Sequence, residues 1–259
     1  MKWNSKITKV EPNHLVTKGY RQEDLIGNIP FSHIVYLILK GELPSKEHGK
    51  MMDAILSATI DHGVTPPSAI AARTVASGKV PLPTAVAAGI LSIGDAHGGA
   101  IEKGAGYFQD KVKEFQASDQ SLEKFAADLA KQAQESHSRI LGFGHRIHTD
   151  DPRTKKLFLL ADTLHLTGPH IELAKALEQA LAAAYNRKLP INVDGAIAAI
   201  ISDMGFDWRL GKAFFLLGRV AGLTAQVYEE QTTQKPMRRI FTTECEYKGR
   251  IEQSLPKKK

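Results

Sequence analysis

Ile191-Asn192-Val193-Asp194-Gly195-Ala196-Ile197-Ala198-Ala199-Ile200-Ile201 decides how the rest of the chain is read, because it sets a lone carboxylate between a short apolar run and a stretch, Ala196 to Ile201, with no charge at all. Residues 195–204 read as a helix, with Pro190 as the breaker before it. Asp194 is thereby partly desolvated. It serves as the N-cap of that helix, as a general base, or as both.

Outward from this stretch the same periodicity recurs over residues 31–40, 46–60, 83–93, 97–114, 121–136, 153–165, 171–185 and 211–230, where Ala, Leu, Glu and Lys dominate. Breakers fall between them: Gly41 and Pro44, Pro66-Pro67, residues 78–83, residues 142–144, Gly168-Pro169 and Pro190. Only residues 187–193 read even weakly as extended, and they contain Pro190. The expected class is therefore all-α, with no internal repeat. Glycine-bearing segments near 142–144 and 218–222 suit hinges, so we expect a large helical domain of residues 1–144 and 220–259 and a small helical lid of residues 145–219.

An apolar fraction of 42% with 24% charged residues excludes wholesale disorder. The strongest apolar run, residues 31–39, stops at Lys40, far short of the ~18 to 20 residues that cross a bilayer. The opening MKWNSKITKV lacks the apolar core of a signal peptide. A single cysteine, Cys245, excludes an internal disulfide framework and a Cys cluster for zinc, so a cytoplasmic setting is expected. The net charge of +6 owes part of its size to Lys257-Lys258-Lys259. With no zinc-finger spacing, no RNA-recognition motif and no basic stripe, it suits a polyphosphate ligand such as CoA or a nucleotide better than nucleic acid.

Histidines cluster where helices meet glycine-rich loops. In Asp61-His62-Gly63 a helix ends in a polar loop; in Gly94-Asp95-Ala96-His97-Gly98-Gly99 two glycines follow a histidine that is expected to begin a helix. A helix N-terminus offers unpaired N–H donors and depresses a histidine pKa, which favours a neutral imidazole facing a developing oxyanion. The plain alternative is a histidine beside a packing glycine pair. Gly142-Phe143-Gly144-His145-Arg146-Ile147-His148 with Asp151-Pro152-Arg153 gathers imidazoles and guanidiniums. The planar fork of arginine suits carboxylates and phosphates, whereas His145 and His148 lack a third spaced ligand for a metal. Arg219, set between the apolar runs 213–217 and 223–227, must be paired with an internal carboxylate or a bound one.

Together these motifs resemble the citrate synthase superfamily. Five of them fall in the family's order, with separations of 35, 48, 49 and 25 positions between His62, His97, His145, Asp194 and Arg219. Only 61 residues precede His62, an N-terminal shortening that resembles stand-alone citryl-CoA lyases and the citryl-CoA module of ATP-citrate lyase. The resemblance implies a citrate-synthase-like helical fold and retro-Claisen cleavage of citryl-CoA to acetyl-CoA and oxaloacetate. Its alternatives are citrate synthase itself, a lyase for a related ester such as citramalyl-CoA, and a CoA-binding or assembly subunit. His97, which resembles true citrate synthases, bears on the direction of reaction.

By the same resemblance His97 holds the thioester oxygen, Asp194 exchanges the acetyl proton and His145 meets the alcohol or keto oxygen. His62, Arg153 and Arg219 hold substrate carboxylates, joined by Arg238 or Arg239 from a neighbouring subunit. Ile140, Leu141, Gly142, Phe143 and Gly144 offer backbone to CoA, with Arg146 near phosphate. Coenzyme A enters as part of substrate and product, and neither a permanent cofactor nor a metal is expected. The partners implied are the CoA thioester, oxaloacetate and further copies of the chain, with apolar faces at 83–93 and 122–133 expected between subunits; no membrane or nucleic acid is implied.

Overall fold

The computed structural model of the chain describes residues 2–144 and 151–255. Among them are eleven α-helices, α1 to α11, and one three-stranded sheet. The helical expectation is met throughout the body of the protein. The sheet was not anticipated.

It is an antiparallel meander of β1 (Thr8–Glu11), β2 (His14–Thr17) and β3 (Tyr20–Arg21), with Thr8 opposite Thr17 and Val16 opposite Arg21. Its turns put Asn13 and the pair Lys18-Gly19 at positive φ. That is turn chemistry the sequence displays but that a search for helical period passes over. The short α1 (Gln22–Leu25) follows at once, and Leu25 and Thr17 tie this corner to the body by burial.

α2 (Phe31–Lys40), α3 (Lys46–Thr59), α5 (Leu82–Leu91), α6 (Ala100–Gln116) and α7 (Leu122–Glu135) lie close to their expected bounds. So do α8 (Pro152–Thr163), α9 (Pro169–Tyr185), α10 (Val193–Asp203) and α11 (Gly211–Thr233). α4 (Pro67–Ala76) was missed because Pro66-Pro67 reads as a breaker. Pro67 instead opens the helix, where its missing N–H costs nothing. Small residues hid the amphipathic pattern of α4, and smallness is what its packing needs: a side chain on Gly89 of α5 would meet Ser68 O at 2.9 Å.

α10 is the buried axis. Every residue from Ala196 to Ile201 is 0% exposed, enclosed by α6, α8 and α9. Full burial of side chains such as Ile197 and Ile200 stabilises the fold by about 1.5 to 3 kcal/mol each. A second, smaller core joins α4, α5 and the Leu223 and Val227 side of α11. The face of α7 expected between subunits is instead spent inside the chain: Phe125, Ala126, Leu129, Ala130 and Ala133 are buried as α7 packs on α9. Ile70 at 52% and Leu91 at 85% exposure keep the α4–α5 side open.

Asp203, at the end of α10, caps α9 from a distance. Its carboxylate accepts the backbone N–H groups of Gly168, His170 and Ile171 at 3.0 Å each and meets His170 Nδ1 at 2.7 Å. Asp203→Ala strands three helix-end donors in a largely buried place, so a loss of about 2 to 4 kcal/mol is expected in urea unfolding. A loss below about 1 kcal/mol would show that α9 finds other partners for those donors.

Candidate active site

α3 ends against the middle of α11 because two glycines there carry no side chain. A Cβ on Gly218 would meet Thr59 Oγ1 at 2.1 Å, and one on Gly222 would meet Ile60 O at 2.0 Å. This approach lays the loop Asp61-His62-Gly63 beside Arg219, which lies between those glycines on α11. Asp61 Oδ2 accepts the Gly63 N–H at 2.9 Å and closes the loop into a turn.

Arg219 is 3% exposed, donates from Nε to Thr59 O at 3.1 Å, and sets its guanidinium 4.5 Å from the centroid of the Phe215 ring. Burial lowers its pKa, while the negative charges of Asp61 and Asp194 work in the opposite sense. His97 meets the same ring edge to face at 5.4 Å. Phe215 thus stands between the imidazole and the guanidinium one helical turn before Arg219. Within the apolar run 213–217 nothing in the sequence singled it out.

His97 does not begin a helix, as the sequence reading had it. It closes a tight turn in which Gly94 N–H donates to His97 O at 2.9 Å and His97 N–H returns to Gly94 O at 3.0 Å, and α6 starts only after Gly99. The paired glycines pull the chain into this turn, and Lys103 and Lys212 anchor it through Asp95 at 2.9 Å each. Their hydrogen bonds, Lys103 first, hold the Asp95 carboxyl down to about 2. His97 Nε2 lies 2.8 Å from the Oγ of the fully buried Ser68 on α4. Ser68 was missed with the helix that carries it. Burial, then the positive field of Arg219, hold the His97 imidazole below its usual 6.5, so it is neutral at pH 7.

Asp194 lies in the first turn of α10 but is not the cap. Asn192 is: its Oδ1 accepts the N–H groups of Asp194 and Gly195, both at 3.1 Å. The Asp194 carboxylate is relieved of the capping task. Burial raises its pKa above the usual 3.8, against the lowering fields of Arg153 and Arg219. Arg153, at the start of α8, is gripped bidentately by Asp151 at 3.0 and 2.8 Å, which leaves three of its five N–H groups outside that grip.

The loop read as CoA-binding is pinned to the start of α10. Gly142 O accepts Asn192 N–H at 3.0 Å, Gly144 N–H donates to Pro190 O at 2.7 Å, and Gly144 O accepts Asn192 Nδ2 at 2.8 Å. Gly142 has φ +93° and passes so close to Gly195 that a Cβ there would meet Gly195 Cα at 2.6 Å. Ile140, Leu141 and Phe143 flank this crossing, and Phe143 bridges to Ile191.

The structure therefore brings His97 and Arg219 to Phe215, sets Asp194 and Arg153 within the electrostatic reach of Arg219, and lays the turn bearing His62 beside it. His145 and Arg146, with His148, lie outside the described residues. Arg238 is joined elsewhere, to Glu230 at 2.9 and 2.7 Å, and Arg239 sits 5.6 Å from the Phe241 ring centroid. Among the described residues no group of three His, Cys, Asp or Glu side chains is arranged to hold a metal ion. Likewise, no helix among them is long and apolar enough to cross a membrane. A neutral imidazole, a desolvated carboxylate and two guanidiniums can hold an enolate oxygen, move a carbon-bound proton and bind carboxylates.

The citrate synthase C-terminal domain model matches residues 44–240, and the chain belongs to the citrate synthase family. Among solved structures it is similar to citryl-CoA lyase from Hydrogenobacter thermophilus, with 46% identity, 98% of this chain and 97% of that one covered, and a TM-score of 0.88. ATP citrate lyase from Methanothrix soehngenii shares the fold at 22% identity and a TM-score of 0.81, over 97% of this chain and 42% of that one. A 2-methylcitrate synthase of Shewanella oneidensis is 30% identical over 230 residues, 88% of this chain and 56% of that protein. The chain spans about half the length of the first curated relatives it matches.

Proposed function

We propose that this chain is a citryl-CoA lyase that cleaves citryl-CoA into acetyl-CoA and oxaloacetate. The observation that carries the reading is the 46% identity, over nearly the whole of both chains, to the citryl-CoA lyase of Hydrogenobacter thermophilus. The site supports it. In this reading a base near His145 takes the alcohol proton, the bond between the acetyl and oxaloacetyl carbons breaks, and its electron pair becomes the acetyl-CoA enolate.

His97 donates to the enolate oxygen. Ser68 at its Nε2 fixes the ring, and the depressed pKa keeps the imidazole from protonating the oxygen outright. Asp194, whose carboxyl burial makes a better proton carrier than a free one, delivers the proton to carbon; the alcohol proton restores it, so the protons balance. Arg153, Arg219 and His62 hold the carboxylates, and residues 140–144 with Arg146 receive CoA. Coenzyme A comes and goes with substrate and product, and no resident cofactor or metal enters. A cytoplasmic location belongs to the same reading, because substrate and products are water-soluble metabolites.

The working unit in this proposal is a homo-oligomer in which Arg239 reaches a neighbouring site, since Arg238 is held by its own subunit's Glu230. Exposed Ile70 and Leu91 on the α4–α5 side supply the contact. The division into a large unit of residues 1–144 and 220–259 and a lid of residues 145–219 is proposed with it. The test is turnover by purified protein of citryl-CoA, of citramalyl-CoA, and of acetyl-CoA with oxaloacetate, without ATP, alongside sedimentation at micromolar concentration. Cleavage of citryl-CoA by an assembled species is expected. Preference for either other substrate, or a fully active monomer, would overturn the corresponding half.

A further inference from the structure

Two buried charges outside the site call for an explanation. Arg73 on α4 is 6% exposed and Glu230 on α11 is 2% exposed, and neither touches a group that the proposed chemistry uses. Burying such groups is costly unless each is fully partnered. They are partnered, and the partners form a line. Arg238 donates from Nε and Nη2 to the two oxygens of Glu230 at 2.9 and 2.7 Å, and Arg73 Nε donates to the same carboxylate at 2.8 Å. Arg73 Nη1 donates to Gln226 Oε1 at 2.6 Å, and Gln226 Nε2 donates to the Asp61 carboxylate at 3.2 and 3.3 Å. Asp61 in turn holds the Gly63 N–H at 2.9 Å.

The line has a direction built into it. Gln226 can meet a guanidinium only with its oxygen and a carboxylate only with its nitrogen, so its amide has one orientation and joins a cation to an anion. Burial works against the charge on Glu230, yet the hydrogen bonds and field of Arg238, followed by those of Arg73, outweigh it and lower its pKa. At the far end the C-terminal segment is seated by backbone as well: Met237 N–H donates to Ser77 O at 2.8 Å, and Arg238 N–H to Ser77 Oγ at 3.0 Å.

We propose that Arg73, Gln226 and Glu230 are positioning residues that couple the seating of the C-terminal segment at Arg238 to the Asp61–Gly63 turn, and hence to His62. The proposal rests on the reading of the site given above. It has a functional sense in that reading: Arg239, the residue offered to a neighbouring site, follows Arg238, so each subunit's own carboxylate-binding turn is completed when its C-terminal segment is in place.

Gln226→Met keeps the volume of the side chain and removes its hydrogen bonds to both Arg73 and Asp61. It is expected to raise KM for citryl-CoA about tenfold with kcat within about threefold, and Arg238→Ala is expected to act in the same sense. Because both act through one line, the double variant adds nothing beyond the larger single effect. The second readout needs no substrate: the Gly63 amide cross-peak in a nitrogen-15 spectrum, identified by its loss in Gly63→Ala, moves in both single variants along one direction. Effects on KM that multiply in the double variant would overturn the coupling, as would a Gly63 peak unmoved by Arg238→Ala. If the wild-type protein does not cleave citryl-CoA the functional reading fails, and the Gly63 shifts still decide this one.

Discussion

Asp194→Asn is expected to lower citryl-CoA turnover at least ~10²-fold, to leave binding of the CoA ester nearly intact, and to make the protein more stable at neutral pH. The first two effects follow from its proposed part as the proton carrier at carbon. The third follows from its surroundings. Burial raises the native carboxyl pKa above the unfolded value near 3.8, so the native state holds a proton that the unfolded chain releases. Stability from this group is complete below pH 3.8 and is lost as pH rises through the raised native value. An amide has no charge to desolvate and escapes that loss. The variant should therefore melt higher than the wild type at pH 7, with the gap closing in acid. Retention of more than a tenth of the turnover would remove Asp194 from the proton transfer. A lower melting point at pH 7 would mean that Arg153 and Arg219 fully compensate its charge.

The second large effect is at Arg219. Arg219→Leu is expected to weaken citryl-CoA binding by roughly 2 to 5 kcal/mol while leaving free CoA hardly affected, since in its proposed role the buried guanidinium meets a substrate carboxylate and not the coenzyme. The change also takes away the one positive charge that both helps hold down the His97 pKa and opposes the raised pKa of Asp194. Both pKa values should rise in the variant, so the acid limb set by neutral His97 and the alkaline limb set by protonated Asp194 both move to higher pH. Calorimetry with the two ligands decides the matter. Equal losses would make Arg219 a phosphate contact or a structural residue tied to Thr59.

Titratable groups in unusual settings were legible in the sequence; the ordinary side chains that contact them were not. His97, Asp194 and Arg219 stood out because a titratable group beside glycines or inside an apolar run is physically conspicuous. Ser68, which bonds His97, and Phe215, which packs on His97 and Arg219, have the composition of any helix, and nothing local marks them. Helix ends show the same division. Asn192 takes the cap that Asp194 had been offered, because its side chain reaches two N–H groups and frees the carboxylate. The β1–β3 meander and α4 escaped for different reasons: the turns at Asn13 and Lys18-Gly19 carry no helical period, and Pro66-Pro67, read as a break, does not say that a helix resumes at it. The face of α7 read as intersubunit was truly apolar, but sequence alone does not say that α9 would cover it.

The crossing of Gly142 over Gly195 fixes the spacing between the loop of residues 140–144 and the start of α10. A methyl group on Gly195 would sit 2.4 Å from Gly142 O, so neither backbone admits even the smallest side chain. The strand of loop proposed to carry the coenzyme and the helix that carries the acid are therefore machined to one another with no adjustable part between them. Laboratory evolution toward longer acyl groups has no room to work at this seam, where changes are paid in folding rather than in selectivity.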